Sequence, residues 1–432
     1  MDIDRRFRFV ASLSCLHLGL ILGVASGGSF PADPKLSPEI RVGIDAGDLR
    51  GSDHRMLQAA VDYVAGLGGG TVRIEPGRYQ MRNALCLRSN VRVVGEPGKS
   101  ILVACNGFRT RLSADGDANE RQITVEDPSG LQLGDGVAIQ DRRSGGGFAV
   151  TTATLTARVD ANTFRLSKPL YFDYLVSNQA AAQLVFPVVG GWNIQNAALE
   201  GLTIEGNRAH SESLDGCRGG GIYLFECDSV AIRNCVVREY KGDGISFQVS
   251  HHVTIEDCLA ERNGGLGLHP GSGSQYPILR RNRSIGNDQD GLFVCWRVQH
   301  GVFEQNELCG NKRNGISIGH KDTDNRFTKN IIASNGEAGI LFRDESEAMG
   351  AHRNVFEDNH LLNNGKTSKG EAAFASIVIR GSHNNLIFRR NTIGHSNPVP
   401  GPGFLVSTVA RDLTSEQNQF TNVSREVATA EK

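Results

Sequence analysis

Between His269 and Glu345 the chain sets imidazoles, cations and carboxylates at intervals that match a repeat of about 24 residues. His320 and Asp344 each lie five residues after the Gly that opens their repeat, and Arg297, Lys321 and Glu345 each lie six after. Equivalent positions in successive coils of a solenoid stack within one or two coil spacings, roughly 5–10 Å, which is the reach of one sugar unit. Such a set suits an acidic polysaccharide. Taking the proton next to a uronate carboxyl requires a cation on that carboxylate, a base at the proton and an acid at the departing oxygen. Arg297 and Arg343 are suited to bidentate pairing with a carboxylate. His320 or Lys321 is the candidate base, and His269 the partner acid. Asp322 and Asp324, two apart, would bind Ca²⁺ or orient His320. Phe293 and Trp296 are candidates to stack on sugar rings, with Asp290, Asp344 and Glu345 beside them as substrate-binding residues. Two other readings stay open. One is an inverting glycoside hydrolase, in which Asp322 with Asp344 or Glu345 forms a carboxylate pair roughly 6.5–9.5 Å apart. The other is a non-catalytic carbohydrate-binding or surface module, its corner charges merely solvated.

The elements that would position these residues follow from the Gly column itself: Gly221, Gly244, Gly267, Gly291, Gly315 and Gly339, with successive gaps of 23, 23, 24, 24 and 24 by subtraction. A fixed period in the twenties signals a solenoid whose coils cannot bury their apolar faces alone. After each Gly, the first position (Ile222, Ile245, Leu268, Leu292, Ile316, Ile340) and the third (Leu224, Phe247, Pro270, Val294, Ile318, Phe342) alternate with an outward column of Tyr223, Ser246, His269, Phe293, Ser317 and Leu341. Period-two alternation predicts a strand with the first and third columns inward. A second strand follows in each coil, as at Val230-Ala231-Ile232. Two corner columns then recur, one of Cys235, Cys258, Asn282, Asn306 and Asn330, the other of Asn263, Asn287, Asn311, Asn335 and Asn364. Asn accepts left-handed backbone and bonds its own turn, and identical side chains can bond one another up a stack, so these Asn residues read as structural. Short strands, Gly and Asn corners and no amphipathic helix between them predict an all-β parallel β-helix.

Composition narrows the function. A formal net charge of −1 leaves no basic footprint for nucleic acid. Arg5, Arg6 and Arg8 precede an apolar run from Phe9 to Val24 and the small residues Ala25, Ser26 and Gly27. That order predicts a signal peptide over 1–26 and a secreted protein, extracellular or periplasmic. The run is too short and interrupted for a membrane span, so none is expected in the mature chain. The eight other cysteines permit disulfides without requiring them. Cys235 and Cys258, stacked neighbours with parallel side chains, are expected to be free buried thiols, and no zinc spacing occurs.

Along the chain, 27–44 reads as a linker and 45–106 as an N-terminal cap with the first coils. Residues 107–188 read as an inserted β-rich subdomain, 189–422 as the main β-helix and 423–432 as a disordered tail. The cap opens with a helix over 53–65: Asp53 can serve as N-cap, and Leu57, Val61 and Val64 share a face. This helix, followed by Gly68-Gly69-Gly70-Thr71-Val72-Arg73-Ile74-Glu75-Pro76-Gly77-Arg78-Tyr79, resembles the entry of pectin-lyase-like right-handed β-helix proteins. The resemblance implies a right-handed parallel β-helix whose hydrophobic end is plugged by the helix. It is weak for activity, since that superfamily spans lyases, hydrolases, epimerases and non-enzymatic modules. The central coils, Leu266-Gly267-Leu268-His269-Pro270-Gly271 and Asp290-Gly291-Leu292-Phe293-Val294, are distantly similar to the catalytic modules of mannuronan C5-epimerases. Where that family has Tyr-Gly-x-Asp-Pro-His, this chain has Leu266, His269 and Gly271 in place of the Tyr, Asp and His. Only Gly267 and Pro270 match, so the resemblance carries the scaffold and a groove but not the catalytic set.

Overall fold

The protein is described by a computed structural model over residues 38–143, 147–369, 373–396 and 400–430. The signal-peptide segment and most of the expected linker lie outside the described residues. From Pro38 onward the chain is one compact unit, and its strands wind into a parallel β-helix. Three long parallel sheets run along it, of 13, 11 and 11 strands among the described residues. Each coil contributes one short strand to each sheet, as Ile222–Phe225, Ala231–Arg233 and Val236–Arg238 do. The register advances by one repeat at every step: Ile222 pairs with Ile245, Ala231 with Thr254 and Val236 with Leu259. The third sheet has no counterpart in the alternation pattern. In the repeated coils its strands are three residues long with a single central inward side chain, such as Val237, Ala260 and Leu308, too short for a period to show.

The interior is a stack of matched layers. Phe303, Phe327, Phe356 and Phe388 form a continuous ring stack with centroids 4.6, 4.4 and 4.9 Å apart. The Asn columns form the expected ladders. Asn306 Nδ2 donates to Asn330 Oδ1 at 3.0 Å and to the Leu279 carbonyl at 2.9 Å, while its Oδ1 accepts from the Asn282 backbone N–H and Nδ2, both at 3.0 Å. The ladder continues beyond the read column to Asn418. Replacing Asn306 by Ala would strip partners from buried groups on both neighbouring coils, at about 1–3 kcal/mol for each group left unpaired. The expected result is a loss of several kcal/mol, measured as a lower denaturant midpoint at unchanged m-value. All eight described cysteines are free thiols, with Cys235 and Cys258 buried side by side.

The N-terminal helix spans His54–Gly66, capped by Asp53, whose carboxylate accepts from the Arg55 N–H at 3.0 Å. Leu57, Val61 and Val64 are buried against the first coil. Two boundaries differ from the sequence reading. Glu39–Gly43, placed in the linker, is a strand paired in parallel with Gly70–Ile74. Val427–Ala430, placed in the disordered tail, pairs in parallel with Phe404–Ser407 and closes a last coil. Val42 of the first segment is buried in the core with Ile40 packed against it, and Ala428 and Ala430 of the second pack on Leu341, Val378 and Leu405. The insertion contains a six-stranded antiparallel sheet running from Arg109–Arg111 to Ala181–Leu184. No helix among the described residues is long and apolar enough to cross a membrane.

Candidate functional site

The outer faces of the sheets differ in chemistry. That of the 13-stranded sheet carries a ladder of ion pairs, in which Glu256, for example, takes Arg280 at 2.6 Å and contacts Arg281 and Arg233. Its charges are spent on one another. The Gly-led sheet instead presents Tyr223, Ser246, His269, Phe293, Ser317 and Leu341 as register partners on its outer face. This face is not open along its length: all of these except Phe293 are buried. A strap at 211–219 crosses it. Ser246 Oγ donates to the Gly216 carbonyl at 2.7 Å, and Tyr223 Oη donates to the Cys217 carbonyl at 2.7 Å. A Cβ at Gly216 would fall 1.8 Å from Asp243 Oδ2, so only Gly lets the strap lie this close.

Beneath the strap sits a group that the sequence reading did not assemble. His269 Nδ1 is 2.7 Å from Asp243 Oδ2, and its two ring nitrogens lie 3.4 Å from Ser246 Oγ and Gln248 Nε2. Burial disfavours the imidazolium, yet the Asp243 and Cys295 hydrogen bonds and charges outweigh it and hold His269 up to about 10. His269 is thus a buried, paired cation, not an acid reachable by a polymer outside the strap. Asp243 does two jobs, since its Oδ1 also accepts from the Leu266 N–H at 2.9 Å. Its place just before Gly244 reveals only the turn cap; the partner lies 26 residues on.

Further expectations are corrected. Arg343 lies flat on the sheet face: it donates to Asp322 Oδ2 at 3.0 Å, to the Val294 carbonyl at 2.9 Å and to Ser317 Oγ at 3.1 Å, and covers the Phe293 ring at 4.5 Å. It is a strut across three coils. Asp322 is fully buried and also accepts from the Val298 and Gly319 N–H groups, both at 3.0 Å. Burial pushes its carboxyl up to about 7 against the pull of Arg343 and those donors. It therefore does not face Asp344 or Glu345 across a sugar. Asp324 is held by Arg353 at 2.7 and 2.8 Å, so Asp322 and Asp324 do not converge on a cation. No cluster of three or more His, Cys, Asp or Glu suited to a metal occurs among the described residues. Asp290 is fully buried, its Oδ1 accepting from the Asn314 N–H and Nδ2 at 2.8 Å, and burial raises its pKa. It caps a turn and does not face the groove. Phe293, half-buried, is wedged between Arg343 and an edge contact with His269 at 5.4 Å.

What remains accessible gathers at the exit turn of the Gly-led strands. Trp296 and His320 stack with centroids 4.2 Å apart and planes 19° from parallel. Trp296 is 47% exposed, which leaves room for a ligand. His320 Nδ1 is 3.5 Å from Glu345 Oε1. Arg297 and Lys321 are exposed beside them, and neither has an ion pair among the described residues. Asp344 is exposed one coil on. The backbone here is unusual. Left-handed residues mark many corners of this solenoid, but Trp296-Arg297 (φ 54° and 67°) and His320-Lys321 (φ 37° and 64°) are the two places among the described residues where non-glycine residues adopt that conformation in succession. Bulky side chains resist that region. The coil-to-coil bonds from the Arg297 N–H to the His320 carbonyl (3.0 Å) and from the Lys321 N–H to the Met349 carbonyl (2.7 Å) hold it.

The right handed beta helix region family matches residues 189–348. No curated protein sequence matches the chain. Among solved structures, the chain is similar to the A-module of the Azotobacter vinelandii mannuronan C-5 epimerase AlgE4, with 15% identity and a TM-score of 0.54 over 90% of this chain and 100% of that one. The A-module of AlgE6 from the same organism follows at 16% identity and a TM-score of 0.53, over 88% and 95% of the two chains. The Dettilon tailspike protein gp208 is similar at 13% identity and a TM-score of 0.50, over 84% of this chain and 64% of the tailspike. At these identities the likeness is one of fold, and the chain is a right-handed parallel β-helix.

Proposed function

We propose that this protein acts on an acidic polysaccharide at the exit turn of the Gly-led sheet, by proton abstraction at a uronate. The observation that carries this reading is the pair of stacked, successive left-handed turns that present Trp296 and His320 as one aromatic platform beside Arg297 and Lys321, cations with no ion pair among the described residues. Backbone strain of this kind persists where surrounding structure enforces it, and it clusters at functional sites. A pyranose ring would lie on Trp296, and its carboxylate would meet Arg297 or Lys321. His320, oriented by Glu345, would take the C5 proton. In elimination the C5–H electrons form the C4=C5 bond and the C4–O bond breaks toward the glycosidic oxygen, which takes a proton from Lys321 or water. In epimerisation a proton returns to C5 from the opposite face. The similarity in fold to mannuronan C-5 epimerase A-modules is consistent with this reading. Secretion, expected from the N-terminal pattern, would place the protein with such polymers.

A second reading, a non-catalytic polysaccharide-binding module, is favoured by the commitment of His269, Asp322 and Arg343 to buried pairs. Incubation with alginate, pectate and a neutral glucan, with and without Ca²⁺, separates the two. Elimination yields an unsaturated, ultraviolet-absorbing end and epimerisation alters the uronate composition. Binding with neither change establishes the module, and no binding to either acidic polymer overturns both.

A further inference from the structure

The same sheet face begins, four coils earlier, in a cavity of about 290 Å³ between the insertion and the first coils. Trp192, Lys168, Asn83, Thr152 and Ser167 line it together with apolar walls at Val137 and Phe186. Lys168 Nζ stands 4.9 Å above the Trp192 ring. No carboxylate lies within ion-pair distance of it among the described residues, whereas the cavity's other cation, Arg88, is paired with Asp62 at 2.8 Å. On the adjacent strand, Phe225 is the register partner of Trp192. The Arg218 guanidinium packs there against Phe225, Phe148 and Tyr171, at 5.8, 5.1 and 4.7 Å from their rings, and spends its described hydrogen bonds on the Phe148 carbonyl. It too has no carboxylate partner among the described residues. Burial holds the Lys168 ammonium below the usual lysine range, opposed by Cys86 and aided to a smaller degree by the Arg218 charge.

Two cations set over aromatic faces, near each other and without an anion, are costly unless a ligand supplies the counter-charge. The Thr152 and Ser167 hydroxyls on the walls can bond a polar ring, and the volume lies near the lower end for small-molecule sites. We propose that this cavity is a second saccharide site that holds a single uronate residue, its carboxylate on Lys168 and its ring among Trp192 and the polar wall groups. That the carboxylate belongs to a sugar acid rests on the reading of the exit turn; the need for a ring-sized carboxylate rests on the cavity alone.

The chain has two tryptophans, one at each site, so each can be monitored by itself. In a full-length Trp296→Phe background, Trp192 is the only indole. Titration with galacturonate or mannuronate is expected to give a saturable fluorescence change that glucose does not give. Lys168→Met in that background is expected to weaken binding about tenfold or more, with an unchanged melting temperature, and Lys168→Arg to restore part of it. Absence of saturation with both uronates, or equal affinity in Lys168→Met, overturns the proposal. The reciprocal Trp192→Phe protein, with Trp296 as reporter, is titrated with the polymer. A failure there with an intact uronate titration removes the exit-turn reading and leaves the cavity standing.

Discussion

Replacing His320 by Ala is expected to lower turnover of an acidic polysaccharide by about 10²–10⁴-fold, the usual worth of a positioned general base, while leaving the melting temperature unchanged. The fold should tolerate the change because the ring sits at a corner, outside the apolar core, between Trp296 and Glu345. His320→Gln keeps a polar side chain of similar length but is a poor proton acceptor, so it should not restore the rate. The neighbours should respond differently. Trp296→Ala removes ring stacking that serves ground state and transition state alike, and should raise KM more than it lowers kcat. Lys321→Ala should lower kcat/KM through the lost carboxylate contact. Steady-state kinetics on the polymer identified by the substrate panel check all three. Full turnover in both His320→Ala and Lys321→Ala would place the chemistry elsewhere.

Asp243→Ala should destabilise the fold by about 3–5 kcal/mol, because it leaves the buried His269 without its counter-charge. It also removes the group on which Gly216 of the strap packs. The pH dependence gives the effect a signature. His269 is held up to about 10 from its ordinary 6.5. A raised folded-state value means that the native state binds the proton more tightly than the unfolded chain. The stabilisation from this pair is fully present below pH 6.5 and is lost as pH rises through about 10. Urea unfolding across that window should show wild-type stability falling toward the Asp243→Ala value as the pH climbs. The Asp243→Ala, His269→Phe double variant should cost less than the sum of the single changes. A constant difference between wild type and Asp243→Ala over the whole window would show that the imidazole is not charged.

The corners of the solenoid were legible in the sequence for a local reason. Each coil must turn within a few residues and satisfy the freed backbone groups, so the same residue type is required at the same place in every coil. The Asn263 and Asn282 columns report that requirement directly, and both form unbroken ladders. The helix at His54–Gly66 was legible for the same kind of reason, since its cap and apolar stripe lie within one stretch of chain. The third sheet was not, because a strand with one inward side chain has no period. The pairing of Glu39–Gly43 and Val427–Ala430 was not, because an alternation as short as Ile40-Arg41-Val42 does not stand out from a linker and backbone hydrogen bonds to a neighbouring coil leave little mark on side-chain identity.

The candidate site divides along the same line. Register is local arithmetic from each Gly, and it set His320, Lys321 and Glu345 on neighbouring coils, where His320 and Glu345 lie 3.5 Å apart; the stack of His320 on Trp296 was not read from it. Exposure is not local. Whether His269 faces solvent depends on the strap at 211–219, and whether Asp322 faces a ligand depends on the reach of Arg343 from the next coil. By itself the sequence determined the period, the inward columns, the Asn corners and which outward residues are vertical neighbours, all of which follow from the spacing of one coil. Only the tertiary structure decided which of those neighbours remain open to a ligand, because the strap and side chains from other coils cover the rest.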